Sequence, residues 1–197
     1  MPDVAECTRH CRSMPGGAQL SARMRCSMEQ FFYARLDSPV GPLLVGMSRR
    51  GLAVLAFGHE LPARLAGAPM EWREGPEACA EVTGQLDEYF AGRRRQFDLP
   101  LDLRGTDFQT QCWDELLRIP YGEIAAAIGN PKAVRAVGGA CGANPIPVLV
   151  PCHRVLAGGK ELGGYGGGLP TKAFLLRLEG AAFVDPAAEQ DRQLVLH

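Results

Sequence analysis

Cys152 and His153 are the adjacent side chains best suited to covalent chemistry, and they lie in the run Pro151-Cys152-His153-Arg154-Val155. A cysteine attacks an electrophile as its thiolate, which nearby cations and hydrogen-bond donors stabilise. Cys152 is therefore a candidate for a reactive thiolate nucleophile, a prediction that depends on the motifs around it. Neighbouring side chains on an extended segment point apart, so the dipeptide alone does not establish a contact between them. Taken alone, a free cysteine is more often a small buried apolar residue.

The first unit that the sequence predicts is a small α/β domain over residues 29–104. Turn-forming residues separate strand-like runs that predict an antiparallel sheet: Phe31–Leu36, Leu43–Met47 and Leu52–Phe57. Apolar residues at helical spacing follow between Pro76 and Gly92, and the glycine stands where a helix would end. An extended connection is predicted from Arg93 to Arg104.

The cysteine motif falls in a second, mainly helical unit, which we place at residues 105–181. Thr106 and Gln109 form a capping box that opens a helix, and Pro120 ends it. The apolar face of this helix is predicted to consist of Phe108, Cys112, Leu116 and Ile119.

Two further helix signals border the cysteine motif. Asn130-Pro131 is an N-cap followed by an N1 proline, which predicts a helix from Lys132 to Ala140. Together with the short segment Ile124–Ile128 before it, this helix indicates helix-turn-helix geometry. A last helix is predicted from Pro170 to Glu179, ended by Gly180.

Composition narrows the class of protein further. The chain has 197 residues, a formal charge of −1 and seven scattered cysteines. That charge gives no overall basic field, so any nucleic-acid site must be a local patch. The cysteine pattern does not resemble a secreted disulfide framework, and no run approaches the roughly 20 apolar residues of a membrane span. We expect a reduced, cytoplasmic, monomeric protein with no membrane contact, a disordered leader over residues 1–28 and a polar tail over 182–197.

Ordered motifs around Cys152 carry a family resemblance. They are Arg135-Ala136-Val137-Gly138-Gly139-Ala140, Asn144-Pro145, Pro151 to Val155, Gly164-Tyr165-Gly166-Gly167-Gly168-Leu169, Lys172 and Leu175 to Gly180. In this order and spacing they closely resemble the methylated-DNA protein-cysteine methyltransferases. The resemblance is strong from Thr106 to Gly180 and weaker from Glu29 to Arg104. It implies a ribonuclease-H-like N-terminal domain followed by a winged-helix-like DNA-binding domain that holds the active-site cysteine.

The resemblance also implies a role for each matching residue of the reacting group. Cys152 corresponds to the alkyl acceptor, and His153 to the histidine that deprotonates it through a bound water. Glu179 resembles the acid that orients this histidine. Asn144 resembles the hinge asparagine between the recognition helix and the active-site segment.

Other matching residues would contact the substrate. Tyr165 resembles a residue whose hydroxyl helps to receive the guanine, and Lys172 resembles another polar group of the site. Arg135 corresponds to the arginine that enters the DNA stack, with Ala136 beside it on the recognition helix. We further expect phosphate contacts from the basic residues near this helix, although they could form only a solvated surface: Lys132, Arg135, Arg154 and Lys160.

The activity that the resemblance implies is DNA repair by direct alkyl transfer. The group on oxygen-6 of guanine, and by extension oxygen-4 of thymine, would move from double-stranded DNA to the cysteine. The product is S-alkylcysteine, so each molecule acts once. No cofactor or metal is needed because the lesion supplies the alkyl group.

A structural zinc site in the leader is an alternative reading of four N-terminal residues, but they lack a paired C-x-x-C spacing, and we predict no metal: Cys7, His10, Cys11 and Cys26.

One segment departs from the family pattern. Only five residues, Ile124 to Ile128, separate Glu123 from Gly129, where the family has a longer segment with a second tyrosine. We hypothesise that Tyr121 replaces that tyrosine, which pushes on the phosphate of the target nucleotide. The alternative is a DNA-lesion-binding protein whose catalysis is impaired by the shortening. A cysteine hydrolase built on Cys152 ranks last, because nothing nearby suggests an oxyanion hole.

Overall fold

A computed structural model describes residues 29–62, 70–123, 125–126 and 131–184 of the chain. The predicted leader and most of the predicted tail lie outside the described residues. Within the part that is described, no helix is long and apolar enough to span a bilayer.

A four-stranded sheet forms the N-terminal unit, with the strand order β3-β2-β1-β4. Strands β1 (Glu29–Leu36), β2 (Leu43–Ser48) and β3 (Gly51–Phe57) pair antiparallel, which confirms the predicted strands. The turn between β1 and β2 closes when the Gly41 N–H donates to the Ser38 carbonyl over 2.9 Å. The φ of +93° at Gly41 requires glycine there.

The fourth strand, β4 (Met70–Glu74), runs parallel to β1 and was not among the sequence predictions. Its run Met-Glu-Trp-Arg-Glu is short and mostly polar, as expected of an edge strand that buries only one face. The Trp72 ring on that face packs against Phe31, with the ring centroids 4.6 Å apart.

Helix α1 (Pro76–Phe90) follows the sheet as predicted, with proline in its first turn. Its buried apolar residues recur every three or four positions and form the face that packs on β1 and β2: Cys79, Val82, Leu86 and Tyr89. Gly92 then adopts a φ of +71°, which allows the chain to turn away from the helix.

The connection after α1 is held against strand β3. The Leu52 N–H donates to the Pro100 carbonyl over 2.9 Å, and the Asp102 N–H donates back to the Leu52 carbonyl over 2.7 Å. Gly51 makes this approach feasible, because a Cβ there would lie 2.1 Å from the Pro100 oxygen. The connection is thereby fixed against the sheet just before the second unit begins.

Helix α2 (Asp107–Leu117) opens with the predicted capping box between Thr106 and Gln109. Its predicted apolar face is only partly correct. Leu116 is buried, but Phe108 is 48% exposed, and the deepest residue is Trp113, which was not predicted to face the core. The Trp113 indole N–H donates to the Ala140 carbonyl over 2.9 Å and so joins α2 to the next helix.

The remaining elements surround the cysteine motif: β5 (Ala125–Ala126), α3 (Pro131–Gly142), β6 (Val155–Leu156) and α4 (Leu169–Glu179). The two helices confirm the predicted ones within two residues at each end. The middle of the segment 124–128 is a short strand that pairs parallel with β6. Asn130, the expected N-cap, lies outside the described residues. Cys152–Arg154 forms a single 3-10 turn.

One hydrophobic core joins the two units. It runs from Leu43 and Val45 in the sheet, through Tyr89 in α1, to Trp113 in α2 and Leu175 in α4. Cys152 belongs to the same cluster. The reactive segment therefore rests on side chains from both halves of the chain.

Candidate active site

Asn144 builds the loop that presents Cys152. Its side-chain oxygen accepts from the Ile146 N–H over 3.0 Å, and its Nδ2 donates to the Val150 carbonyl over 2.8 Å. The same Nδ2 lies 3.2 Å from the Cys152 sulfur. Asn144 is buried, so these bonds fix its amide and, through it, the position of the sulfur.

The loop between Asn144 and Cys152 contains a strained residue. Val148 has a φ of +77°, a region that a β-branched side chain rarely adopts. Its side chain is buried, and the Val150 N–H donates to the Ile146 carbonyl across the turn over 2.9 Å. The surrounding packing thus holds the turn in a conformation that the sequence does not favour locally.

The sulfur itself is shielded from water, with Cys152 only 7% exposed. Burial raises the pKa of the Cys152 thiol, while the Asn144 hydrogen bond and the Lys172 charge oppose that rise. Removal from solvent disfavours the charged form, so the predicted thiolate nucleophile does not form unaided. Cys152 rests as a thiol and needs a base to become nucleophilic.

His153 is placed to be that base. It is fully buried, and its Nε2 lies 2.9 Å from Glu179 Oε1. Burial lowers the pKa of His153, so the ring is neutral at pH 7. Since the carboxylate accepts the Nε2 proton, Nδ1 carries the lone pair, and it has no hydrogen-bond partner among the described residues.

Glu179, at the end of α4, is an ionised carboxylate within the protein. Burial by itself would raise its pKa, but hydrogen bonds from His153 and Arg154 outweigh that effect and lower the pKa to about 2. The Gly122 N–H also donates to Oε2 over 3.3 Å. Gly122 has a φ of +78°, and a Cβ there would lie 2.8 Å from the Glu179 carbonyl oxygen.

Arg154 pairs with this carboxylate rather than facing outward. Its Nε donates to Glu179 Oε2 over 2.8 Å, its Nη2 donates to Oε1 over 2.9 Å, and its Nη1 donates to the Ile119 carbonyl. Arg154 is 7% exposed. The expected phosphate contact by Arg154 is therefore corrected: its guanidinium is used inside the protein, where it balances the charge of Glu179.

Tyr121 packs between helix α1 and the end of helix α4, next to Glu179. Its hydroxyl donates to the Leu178 carbonyl over 3.0 Å, and its ring packs edge-on against Tyr89 with the centroids 6.3 Å apart. A phosphate contact by this hydroxyl would require breaking the bond to Leu178. The hypothesis that Tyr121 replaces the family's second tyrosine thus receives no support from its placement.

Tyr165 and Lys172 lie beside the sulfur. The ring centroids of Tyr165 and His153 are 6.4 Å apart. The buried Tyr165 hydroxyl has no hydrogen-bond partner among the residues that are described. Lys172 Nζ donates to the Val155 carbonyl over 2.8 Å, and burial lowers its pKa. The loop that carries Tyr165 rests on Phe57 of strand β3, 5.8 Å from the tyrosine ring.

A cavity of about 970 Å³ opens beside Cys152. Helices α2 and α3 and the glycine-rich loop supply its mostly apolar wall, which includes Phe108, Cys112, Val137, Cys141, Tyr165 and Gly166. The arrangement therefore combines a buried thiol, a neutral histidine held by a carboxylate, and an apolar space large enough for an organic group.

The remaining residues that were expected to contact DNA lie at the surface or outside the described part of the chain. Arg135 and Ala136 are exposed on α3, and Lys160 is exposed in the loop after β6. Lys132 lies in α3, but its side chain is outside the described residues.

The four N-terminal residues that could be read as zinc ligands also lie outside the described residues: Cys7, His10, Cys11 and Cys26. Among the side chains that the structure describes, no group of three or more His, Cys, Asp or Glu residues could hold a metal ion.

This fold and site define a class of protein in which a small sheet domain supports a helical domain with a buried Cys-His-Glu arrangement. Residues 31–103 match the family model of the 6-O-methylguanine DNA methyltransferase ribonuclease-like domain. Residues 107–181 match the DNA binding domain of the same family. The chain belongs to the 6-O-methylguanine DNA methyltransferase family.

Individual relatives agree with the family models. A methylated-DNA–protein-cysteine methyltransferase of Methanosarcina acetivorans is 44% identical over 156 residues, which is 76% of this chain and 99% of the relative. One from Mycobacterium tuberculosis H37Rv is 47% identical over 156 residues, 75% of this chain and 91% of that protein. A solved structure of M. tuberculosis OGT in complex with DNA superimposes with a TM-score of 0.67 at 43% identity, covering 76% of this chain and 92% of that one.

Two contributions to the site were not found from the sequence. Arg154 was predicted only to be a surface cation, but the 3-10 turn over Cys152–Arg154 directs it and His153 to the same carboxylate. Tyr89 was predicted only as one of the apolar residues between Pro76 and Gly92, yet its hydroxyl donates to Glu179 Oε1 over 2.8 Å. No local signal marks that contact, because 90 residues separate the two partners.

Proposed function

We propose that this protein repairs double-stranded DNA by transferring an alkyl group from oxygen-6 of guanine to the sulfur of Cys152. The observation that carries the proposal is the buried Cys152 thiol beside the His153–Glu179 pair and the apolar cavity, in a chain of this family. The relatives named above act on methylated DNA and a protein cysteine, as their names state.

In the proposed reaction, His153 Nδ1 takes the thiol proton, through the bound water that the family resemblance implies. The sulfur then attacks the alkyl carbon, so that a C–S bond forms while the C–O bond to guanine breaks. The bonding electrons stay with guanine, which takes up one proton and becomes the normal base, while His153 releases the proton that it took from the thiol. The thioether is not reversed by thiol exchange, so each molecule reacts once.

The substrate atom lies inside the duplex, so the nucleotide must leave the base stack before it can meet the buried sulfur. Arg135 is exposed on α3, which suits a side chain that fills the space left behind. We assign Ala136 and Lys132 to the same DNA-facing helix, and Tyr165 and Lys172 to the guanine pocket. Tyr165 supports that assignment, because its buried hydroxyl has no partner among the described residues.

Oxygen-4 of thymine is proposed as a second substrate. The cavity is about 970 Å³, and an ideal Cβ on Gly166 would meet no other atom within 4 Å. The loop beside the sulfur therefore leaves room for either a methylated guanine or a methylated thymine. Parallel reactions with duplexes carrying either methylated base test this assignment, and methyl transfer from guanine alone would restrict the substrate.

The direct test is to incubate the full chain with a duplex containing one methylated guanine, digest it, and weigh the cysteine peptides. We expect a mass gain of one CH₂ group on the Cys152 peptide. The peptides of Cys112 and Cys141, whose thiols line the same cavity, serve as internal controls and should stay unmodified. An unmodified Cys152 peptide after demonstrated duplex binding would contradict the proposal.

The alternative function is lesion binding without efficient transfer. It rests on the short connection before α3, where only seven residues, including β5, separate Glu123 from Pro131. That alternative predicts tighter binding to the methylated than to the unmethylated duplex, with no methyl on Cys152. The mass measurement above separates the two functions.

A further inference from the structure

Tyr89 links the N-terminal unit to the reacting groups. It lies in α1, one residue before the helix ends, and is fully buried. Its hydroxyl donates to Glu179 Oε1 over 2.8 Å, the same oxygen that faces His153 Nε2 at 2.9 Å. Glu179 is thus held by a side chain from the sheet domain as well as by its own domain.

We infer that Tyr89 is a positioning residue of the alkyl-transfer reaction, and that its hydroxyl bond to Glu179 sets the proton affinity of His153. The inference rests on the proposed function for its kinetic consequence. Its structural basis does not depend on that function, because it is a geometric fact: the Tyr89 hydroxyl and His153 Nε2 both contact Glu179 Oε1.

The number of donors around Glu179 explains how Tyr89 acts. Oε1 faces three donors, from Tyr89, His153 and Arg154, and Oε2 faces Arg154 and the Gly122 N–H. Each added donor stabilises the ionised carboxylate and weakens its attraction for the His153 proton. Glu179 can therefore fix the tautomer of His153 without drawing the ring into its protonated form.

Tyr89 is suited to remain a donor. Burial, followed by the charge of Glu179, raises the pKa of the Tyr89 hydroxyl above its ordinary value of 10, so it stays protonated at neutral pH. Its ring is held independently of the hydroxyl, packing against Phe97 at 5.3 Å and Tyr121 at 6.3 Å between centroids. Phenylalanine at position 89 would keep these ring contacts.

Removal of the hydroxyl should change the pH dependence in a defined direction. With one donor fewer, Glu179 attracts a proton on His153 more strongly, so the pKa of His153 rises. The reaction needs the neutral ring, so the acid limb of its rate profile moves to higher pH. A hydrogen bond to a charged group is strong enough to give a shift of about one pH unit. The other groups that face His153 or Glu179 stay unchanged in this variant: Arg154, Lys172, Tyr165 and Tyr121.

The experiment compares full-length wild type, Tyr89→Phe and the control Tyr33→Phe. Tyr33 lies on β1 beside Arg35, so its variant removes a phenol hydroxyl from the same domain but not from Glu179. The rate of methyl transfer is measured against pH, and the His153 ring is titrated by NMR. Only Tyr89→Phe should raise both midpoints, by about one unit.

The two failures can be told apart. Transfer by wild type with unmoved midpoints in Tyr89→Phe overturns the role of Tyr89 and leaves the proposed function standing. Absence of transfer by wild type overturns the proposed function, and the NMR titration still decides whether Tyr89 acts on His153. Thermal unfolding of each variant confirms that the compared proteins are folded.

Discussion

Replacement of Arg154 by methionine should destabilise the protein strongly, because it leaves the Glu179 carboxylate buried without its cation. Both side chains are nearly inaccessible, at 9% and 0% exposure, and two hydrogen bonds of 2.8 and 2.9 Å join them. Removing one partner of such a pair typically costs about 3–5 kcal/mol. We expect a loss of that size in the free energy of unfolding at pH 7.

The pKa of Glu179, which hydrogen bonds from both His153 and Arg154 lower, adds a pH dependence to this stability. It falls from an ordinary value of 4.5 to about 2, and each pKa unit corresponds to about 1.4 kcal/mol, so the ionised state contributes about 3 kcal/mol. Because the folded pKa is the lower one, this stability is present above pH 4.5 and is lost as the pH falls towards 2. In Arg154→Met the acid-dependent loss should be smaller.

Urea unfolding at pH 7 and at several acid pH values tests both parts of this prediction. Arg118→Met is the matched control, since Arg118 pairs with Glu115 at 2.6 Å but the two side chains are 73% and 69% exposed. An exposed pair contributes less than about 1 kcal/mol. If Arg154→Met lost no more stability than Arg118→Met, the buried ion pair would not have the role assigned to it.

Three further results are expected. Burial lowers the pKa of His153 below its ordinary 6.5, so the methyl-transfer rate should persist at pH 6.5 and decline only at lower pH; a half-maximal rate above pH 6.5 would argue against His153 as the base. Arg135→Ala should leave thermal stability within about 0.5 kcal/mol, because the residue is exposed, yet slow transfer from duplex DNA more than transfer from the free methylated base. Gly122→Ala should lower the melting temperature, since its Cβ would meet Glu179, whereas Gly84→Ala, in a helix with open space, should raise it; equal effects would contradict the close approach.

Local sequence signals determined most of the secondary structure. The strands from Glu29 to Phe57 follow from apolar runs with turn residues between them, and α2 follows from the Thr106–Gln109 capping box. These features depend on neighbouring residues alone. Strand β4 was missed because a short, mostly polar edge strand has little pattern of its own. The buried face of α2 was partly wrong because periodicity cannot say which side the rest of the protein covers.

The sequence alone also determined the reacting groups, since the ordered motifs from Arg135 to Glu179 single out Cys152 and its partners. Tertiary structure decided the state and surroundings of those groups. Burial keeps Cys152 as a thiol, Arg154 turns inward to Glu179, and Tyr89 reaches the same carboxylate from the other domain. Desolvation and contacts between distant residues arise only when the two units share one core, so no local pattern could have predicted them.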